Sequence, residues 1–366
     1  MKDRRVAGRA RRHAAVERTL GSGRGSHAPI LPLAGARVLN PNDIDSAAPA
    51  AYTAKAMAPD SIDSVLPACP PAHARAPRAC MAGKPPADRL VLAPPVLQGA
   101  MVALVRRDTS QLDLSDAQRL SHFPASPIVT LSWFHGMDAG LVDARRGWRP
   151  FGANVAVSGS QSAPLTTWAP TTGRGYMACF APDAARALFG LDLAAVQDRF
   201  VPARDVLGAE WQPLLDALLS TTGDDAALRA LEAHLGRRWA LLQGRNAERP
   251  SLRQFGRHWV ERLAWQAHAW RSTHSTRQVE RRIKSFSGRS LRQWQAITRT
   301  EGLFFAARER YEKGLPFDWA TLALDEGFSD QAHLSRVTRE ICGFAPTEFA
   351  QRYAEDESFW IYRLWV

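Results

Sequence analysis

The sequence predicts an α+β chain: a small β-rich or partial-barrel region with helices, then an all-α region of two helix-turn-helix units joined by a linker helix. Three observations predict it. Residues 91–180 hold short β-branched and apolar runs separated by Gly and Pro. Residues 181–242 change to helical spacing. The stretch Ser275–Gly288 then reappears 55 residues later as Asp330–Gly343, with apolar, basic and glycine positions in register.

Taken in order, residues 1–87 are crowded with Ala, Pro, Gly and Ser. The first 90 residues hold 14 basic and seven acidic side chains. Without a sustained hydrophobic period they bury too little surface to offset chain entropy, which predicts a disordered basic extension. They contain no run of 18 apolar residues and no apolar h-region behind the basic start, so neither a membrane span nor a secretory signal is expected. Four cysteines at irregular spacing, Cys69, Cys80, Cys179 and Cys342, make no disulfide framework, which fits a reducing cytoplasm.

Residues 88–250 are long enough for one domain with its own core. Strands are expected at Val91–Ala93, Met101–Val105, Ile128–Phe134, Asn154–Ser158 and Gly175–Phe180. Helices are expected at Ala181–Phe189, Leu191–Arg199, Trp211–Thr221 and Ala226–Leu242. This part is neutral: Val91 to Pro250 holds 15 basic and 15 acidic residues, so the chain's excess of +11 lies toward its ends.

Residues 251–353 carry the duplication, and residues 354–366 form a C-terminal tail. Each copy is a short helix, begun by Ser275 or by Ser329-Asp330 and stopped by Gly288 or Gly343 as a left-handed cap. Val279, Ile283 and Phe286, and then Leu334, Val337 and Ile341, mark the packed face. Between the copies, Leu291–Lys313 reads as one helix ended by Gly314 and Pro316. Phe317–Asp325 then leads through the turn Glu326-Gly327-Phe328-Ser329 into the second copy. The first copy's turn, Arg271–Ser275, has no glycine.

The faces left for contact present Thr276, Arg277, Glu280 and Arg281 in the first copy, and Gln331, Ala332, Ser335 and Arg336 in the second. Such side chains suit base edges: Arg pairs with guanine, Gln with adenine, Glu accepts from cytosine, and a small residue meets a thymine methyl. Net charge is +9 from Ser251 to Thr300 and −3 from Glu301 to Tyr353, so phosphate attraction is expected mainly from the first unit. A solvated helical face is the alternative reading of Arg257, Arg262, Arg282, Arg289 and Arg292.

The run Leu322-Ala323…Gly327-Phe328-Ser329-Asp330-Gln331…His333-Leu334-Ser335-Arg336…Arg339…Gly343-Phe344-Ala345-Pro346…Phe349 resembles the C-terminal signature of AraC/XylS-type transcription regulators, over Leu252 to Tyr353. The resemblance implies two helix-turn-helix units that put recognition helices into successive major-groove segments of double-stranded DNA. Carried over by position, it implies base contacts from Arg277, Glu280, Arg281, Gln331, Ala332, Ser335 and Arg336. Flanking phosphate contacts fall to Thr276, Lys284, Arg289 and Arg339. Thr338, Leu291 and Thr273 depart from the family's usual Phe, Pro and turn Gly. The segment Ala181–Gly190 followed by Val201…Asp205…Leu207-Gly208…Trp211 looks like the N-terminal sensor half of such regulators. It implies a sensor/dimerisation domain, with a small-molecule effector, a second copy of the chain and RNA polymerase as candidate partners.

No cofactor or metal site is expected: His122, His135 and His234 are far apart and outside metal-type spacing. Asp138, Asp143, Asp183 and Asp205 form no readable acid–base pair. Trp133, Phe134, Trp148 and Trp168 are candidates for an effector pocket, with core packing as the default reading. The expectation is a non-enzyme. The alternatives are a DNA-associated enzyme transferring an alkyl group to a cysteine such as Cys179, and an interaction adaptor without sequence-specific binding.

Overall fold

A computed structural model describes residues 68–79, 87–143, 146–243, 255–313, 319–325 and 327–365, all within a compact unit spanning Ala47–Val366. The β-rich part contains β1 (Arg89–Leu92), β2 (Met101–Asp108), β3 (Leu120–Phe123), β4 (Val129–His135), β5 (Gly140–Asp143), β6 (Gly147–Pro150), β7 (Val155–Ser158), β8 (Leu165–Trp168) and β9 (Arg174–Phe180). Helices α1 (Pro182–Phe189) and α2 (Leu193–Val196) lead to β10 (Phe200–Pro202), followed by α3 (Ala203–Val206), α4 (Gln212–Leu219) and α5 (Asp224–Gln243). The helical C-terminal part contains α6 (Phe255–Trp270), α7 (Thr276–Ser287), α8 (Leu291–Glu312), α9 (Trp319–Asp325), α10 (Gln331–Cys342), α11 (Pro346–Glu355) and α12 (Trp360–Trp365).

Six strands form one antiparallel sheet in the order β1-β2-β9-β4-β7-β10, and four form a second in the order β3-β8-β5-β6. Strand alternation gives the larger sheet two different faces. Leu104, Ala178, Leu131 and Val157 lie in one cross-strand row, with the Trp133–Tyr176 pair beside it. These side chains are buried, and Trp133 stacks on Tyr176 at 5.0 Å. Helix α4 packs against β4, and α5 against β2. The opposite rows, Ala103–Cys179–Thr130–Ser158 and Arg107–Gly175–Phe134, turn toward the space between the two sheets.

The expected strands appear, at Arg89–Leu92, Met101–Asp108, Val129–His135, Val155–Ser158 and Arg174–Phe180. The second sheet was not expected. Its strands, LSHF, GLVD, GWRP and LTTW, are four residues each and mix polar with apolar side chains, too short for an alternation to register. Trp148 and Trp168 hold it together edge to face at 5.7 Å, and the Trp148 Nε1–H donates to the Trp168 carbonyl at 3.0 Å. The helix expected at Leu191–Arg199 shrinks to α2, because Gln197 turns extended and Asp198 adopts φ +56° before β10 begins.

Residues 68–79 correct the expectation of a disordered extension. Ala76 and Ala79 are buried, and backbone bonds run from Arg78 N–H to the Glu355 carbonyl and from Glu357 N–H to the Ala76 carbonyl. An extended strap held by backbone bonds needs no hydrophobic period, so composition could not reveal it. Most of the remaining extension lies outside the described residues. The C-terminal tail covers the core: Phe359, Trp360, Ile361 and Tyr362 are buried, Phe359 and Tyr362 pack on Phe349, and Trp360 Nε1–H donates to Ser121 Oγ at 2.8 Å.

Candidate nucleic-acid interface

The two copies of the repeat become two capped helices, α7 and α10. Ser275 is extended and its hydroxyl accepts from the Gln278 N–H, while the Gln278 side chain accepts from the Ser275 N–H at 2.8 Å. This reciprocal box satisfies two of the free donors at a helix start. At α10 the Asp330 carboxylate accepts from the His333 N–H at 2.7 Å. Those hydrogen bonds lower the Asp330 pKa, which keeps a negative charge at the positive end of the helix. Gly288 and Gly343 end the helices at φ +81° and +86°, in the left-handed region where a Cβ is strained. In the turn before α10, Gly327 also has positive φ, +77°.

Val279 and Ile283 on α7, and Leu334 and Ile341 on α10, are buried and anchor each helix. The opposite faces are open. Thr276, Arg277, Glu280, Arg281 and Lys284 are exposed on α7; Gln331, Ala332, Arg336 and Arg339 are exposed on α10, with Ser335 half-buried among them. Among the described residues no ion pair engages Arg277, Arg281, Lys284, Arg336 or Arg339. Arg289 is the exception to the expected set. It is only 8% exposed, its guanidinium lies 5.6 Å from the Trp294 ring, and burial lowers its pKa, so it is unsuited to a phosphate contact. A basic residue just past a helix-ending glycine resembles a phosphate clamp in sequence, and only the fold shows it turned inward.

The C-terminal ends of both helices are fastened to the β-rich part. A Cβ at Gly288 would meet the Gln197 side chain at 1.8 Å, and one at Gly343 would touch Pro164 at 3.5 Å. Arg186 lies over Phe286 at 5.2 Å, and Arg262 donates to Asp183 at 2.9 Å. The Ala125 N–H donates to the Ile341 carbonyl at 2.8 Å, and His122 meets the Phe344 ring edge-on at 5.1 Å. Burial, reinforced by the Arg352 charge, lowers the His122 pKa to about 4, so this imidazole is a neutral part of the seam.

A charged cluster closes the same region. Arg352 donates to Asp356 at 2.9 Å and to the His73 carbonyl at 2.9 Å, which ties the strap to α11. Arg107 reaches Glu357 at 2.9 Å and Asp88 at 3.3 Å. Burial, only partly offset by Arg107, raises the Asp88 pKa to about 6.

Between the sheets lies a cavity of about 200 Å³. Its walls come from β2, β4 and β9 on one side and from β3 and β8 on the other. Its floor belongs to the helical part: Glu301, Phe304 and Phe305 of α8, Ile341 and Cys342 of α10, and Trp360 to Tyr362 of α12. Of the aromatic candidates, Phe134 and Trp168 line it, Trp133 is buried outside the lining and stacks on Tyr176, and Trp148 supports the second sheet. The sequence carries one overlooked signal for the floor. Glu301 interrupts the buried stripe Trp294, Ile297, Phe304 at helical spacing, where an apolar residue is expected.

Among the described residues no group of His, Cys, Asp and Glu could hold a metal. Cys179 is buried in β9, its thiol pushed up by burial, with its Sγ 3.7 Å from the Met177 carbonyl. That environment disfavours the thiolate that alkyl transfer requires. No helix among the described residues is long and apolar enough to cross a membrane.

No family model matches the chain, and no curated protein sequence matches it. Three similar solved structures are of ToxT from Vibrio cholerae. An apo single-residue variant is 10% identical, covers 63% of this chain and 93% of that one, and gives a TM-score of 0.33. A 1.65 Å structure of ToxT is 10% identical, covers 67% and 96%, and gives 0.32. The unsaturated-fatty-acid-bound wild-type protein is 11% identical, covers 63% and 93%, and gives 0.28.

Proposed function

We propose that this chain is a sequence-specific DNA-binding transcription regulator, with α7 and α10 as its recognition helices and the β-rich part as a ligand-responsive sensor. The observation that carries the reading is the open pair of capped helices. Each is docked by its C-terminal end and leaves its first turns exposed, with Arg277, Glu280 and Arg281 on one and Gln331, Ala332, Ser335 and Arg336 on the other. Helix-turn-helix proteins present base-reading side chains from these N-terminal turns. Lys284 and Arg339, one turn further along, suit flanking phosphates, and Thr276 at the start of α7 has a hydroxyl for the same purpose.

In this reading Arg281 and Arg336 distinguish sequences, whereas Lys284 adds affinity to any duplex. Arg281→Ala or Arg336→Ala should cost about 1–3 kcal/mol on the preferred site and less on a mismatched one. Lys284→Ala should weaken both alike and reduce the salt slope by about one. Titrations of fluorescent duplexes at several salt concentrations measure both quantities. Equal losses on every sequence for the two arginine variants would remove them from base reading.

A further inference from the structure

Among the described residues, the cavity between the sheets is lined by one carboxyl group that has no hydrogen bond and no ion pair. Arg107 is bound to Glu357 and Asp88, and Arg119 donates to the Leu114 carbonyl and pairs with Asp116. Gln161 donates to the Ser158 hydroxyl and the Gly159 carbonyl. Glu301 makes no hydrogen bond and no ion pair among the described residues. It is half-buried and lines the cavity floor. One carboxylate oxygen lies over Gly256 of α6, where a Cβ would stand 2.4 Å away, so the helices leave room for this side chain at that place. Tyr362 and Cys342, the polar neighbours on the floor, are uncharged.

We propose that this cavity binds a small, mostly apolar amine whose ammonium group pairs with the Glu301 carboxylate. Size and wall chemistry set the class. A cavity of about 150 Å³ lined by apolar side chains accepts benzene, and 200 Å³ adds room for a short arm. The apolar body lies against Phe134, Met177 and Trp168, while the ammonium reaches the floor. An anion is poorly served, because both wall guanidiniums already hold carboxylates and the free group is itself an acid. The occupant touches β4, β9, α8 and the last turn of α10 together. Its consequence for DNA binding rests on the regulator reading; its binding does not.

Calorimetric titration of the full chain near neutral pH with 2-phenylethylamine, 2-phenylethanol and phenylacetate tests the proposal. These probes share a ring and differ in the end group. The amine is expected to bind about tenfold or more tightly than the alcohol, the margin of a charge-assisted hydrogen bond, with phenylacetate weakest. In Glu301→Gln that preference disappears while the alcohol still binds. A preference for phenylacetate, equal binding of amine and alcohol, no binding by any probe, or an amine preference that survives in Glu301→Gln would overturn it. The series on the unaltered protein decides alone if the variant fails to fold. DNA site selection on the same preparation separates the two readings: sequence-selective DNA binding without amine binding sinks only this proposal, and amine binding without sequence selection sinks only the regulator.

Discussion

Replacing Glu301 by Gln should make the protein more stable in mild alkali and change little in mild acid. Burial without a partner raises this carboxyl from an ordinary 4.5 to about 7. Because the folded state holds the proton more tightly than the unfolded chain, the stabilisation is complete below 4.5 and is lost as pH rises through about 7. Each pKa unit corresponds to about 1.4 kcal/mol, which bounds the loss near 3 kcal/mol. Glu301 keeps some accessible surface, and screening at that surface reduces the expected loss to roughly 2 kcal/mol. For a folded unit of this size that is a shift of roughly 5 °C in Tm. Thermal unfolding of both proteins at about pH 5 and about pH 8 measures it. The variant's advantage should grow by that amount between the two conditions. An advantage that is constant with pH would mean that folding leaves the Glu301 titration unshifted, and one that shrinks as pH rises would mean that the folded protein stabilises its charge; either result would contradict a carboxyl buried without a partner.

Two further outcomes follow from the seam. His122 is held neutral, its pKa lowered from 6.5 to about 4, so its contribution is complete above 6.5 and is lost as pH falls through about 4. His122→Phe, which keeps a ring beside Phe344 and Phe359, should flatten the acid limb of a stability profile in that window; an unchanged limb would reassign the acid sensitivity. Asp356→Ala leaves Arg352, 3% exposed in its side chain, with only its bonds to Glu348 and to the strap carbonyls. Denaturant unfolding should show a loss of about 3 kcal/mol, the lower end for breaking a buried pair, and a neutral result would show that Glu348 suffices.

The helix-turn-helix region was legible because its signals are local. Ser275, Asp330, Gly288 and Gly343 each act within one turn of their own helix, so their residue types and spacing carried the geometry. The long strands β2, β4 and β9 were legible through continuous apolar runs. What escaped depends on contacts between distant segments. The second sheet is four short strands joined by pairing, and the strap of residues 68–79 is tied by Arg352 and by backbone bonds to segments more than 270 residues away, in α11 and the turn after it. Arg289 and Glu301 were misread or overlooked for the same reason: a charged side chain's role depends on which wall it faces, and both turn into seams made by residues far along the chain.

Whether α7 and α10 read sequence is decided by selection of binding sites from a random duplex pool, repeated at several salt concentrations. Two recognition helices on one chain should recover a motif with two half-sites about one helical turn apart, retained as salt rises. Binding that ignores sequence and vanishes at moderate salt would contradict it, because only the basic first unit's attraction to phosphates would remain.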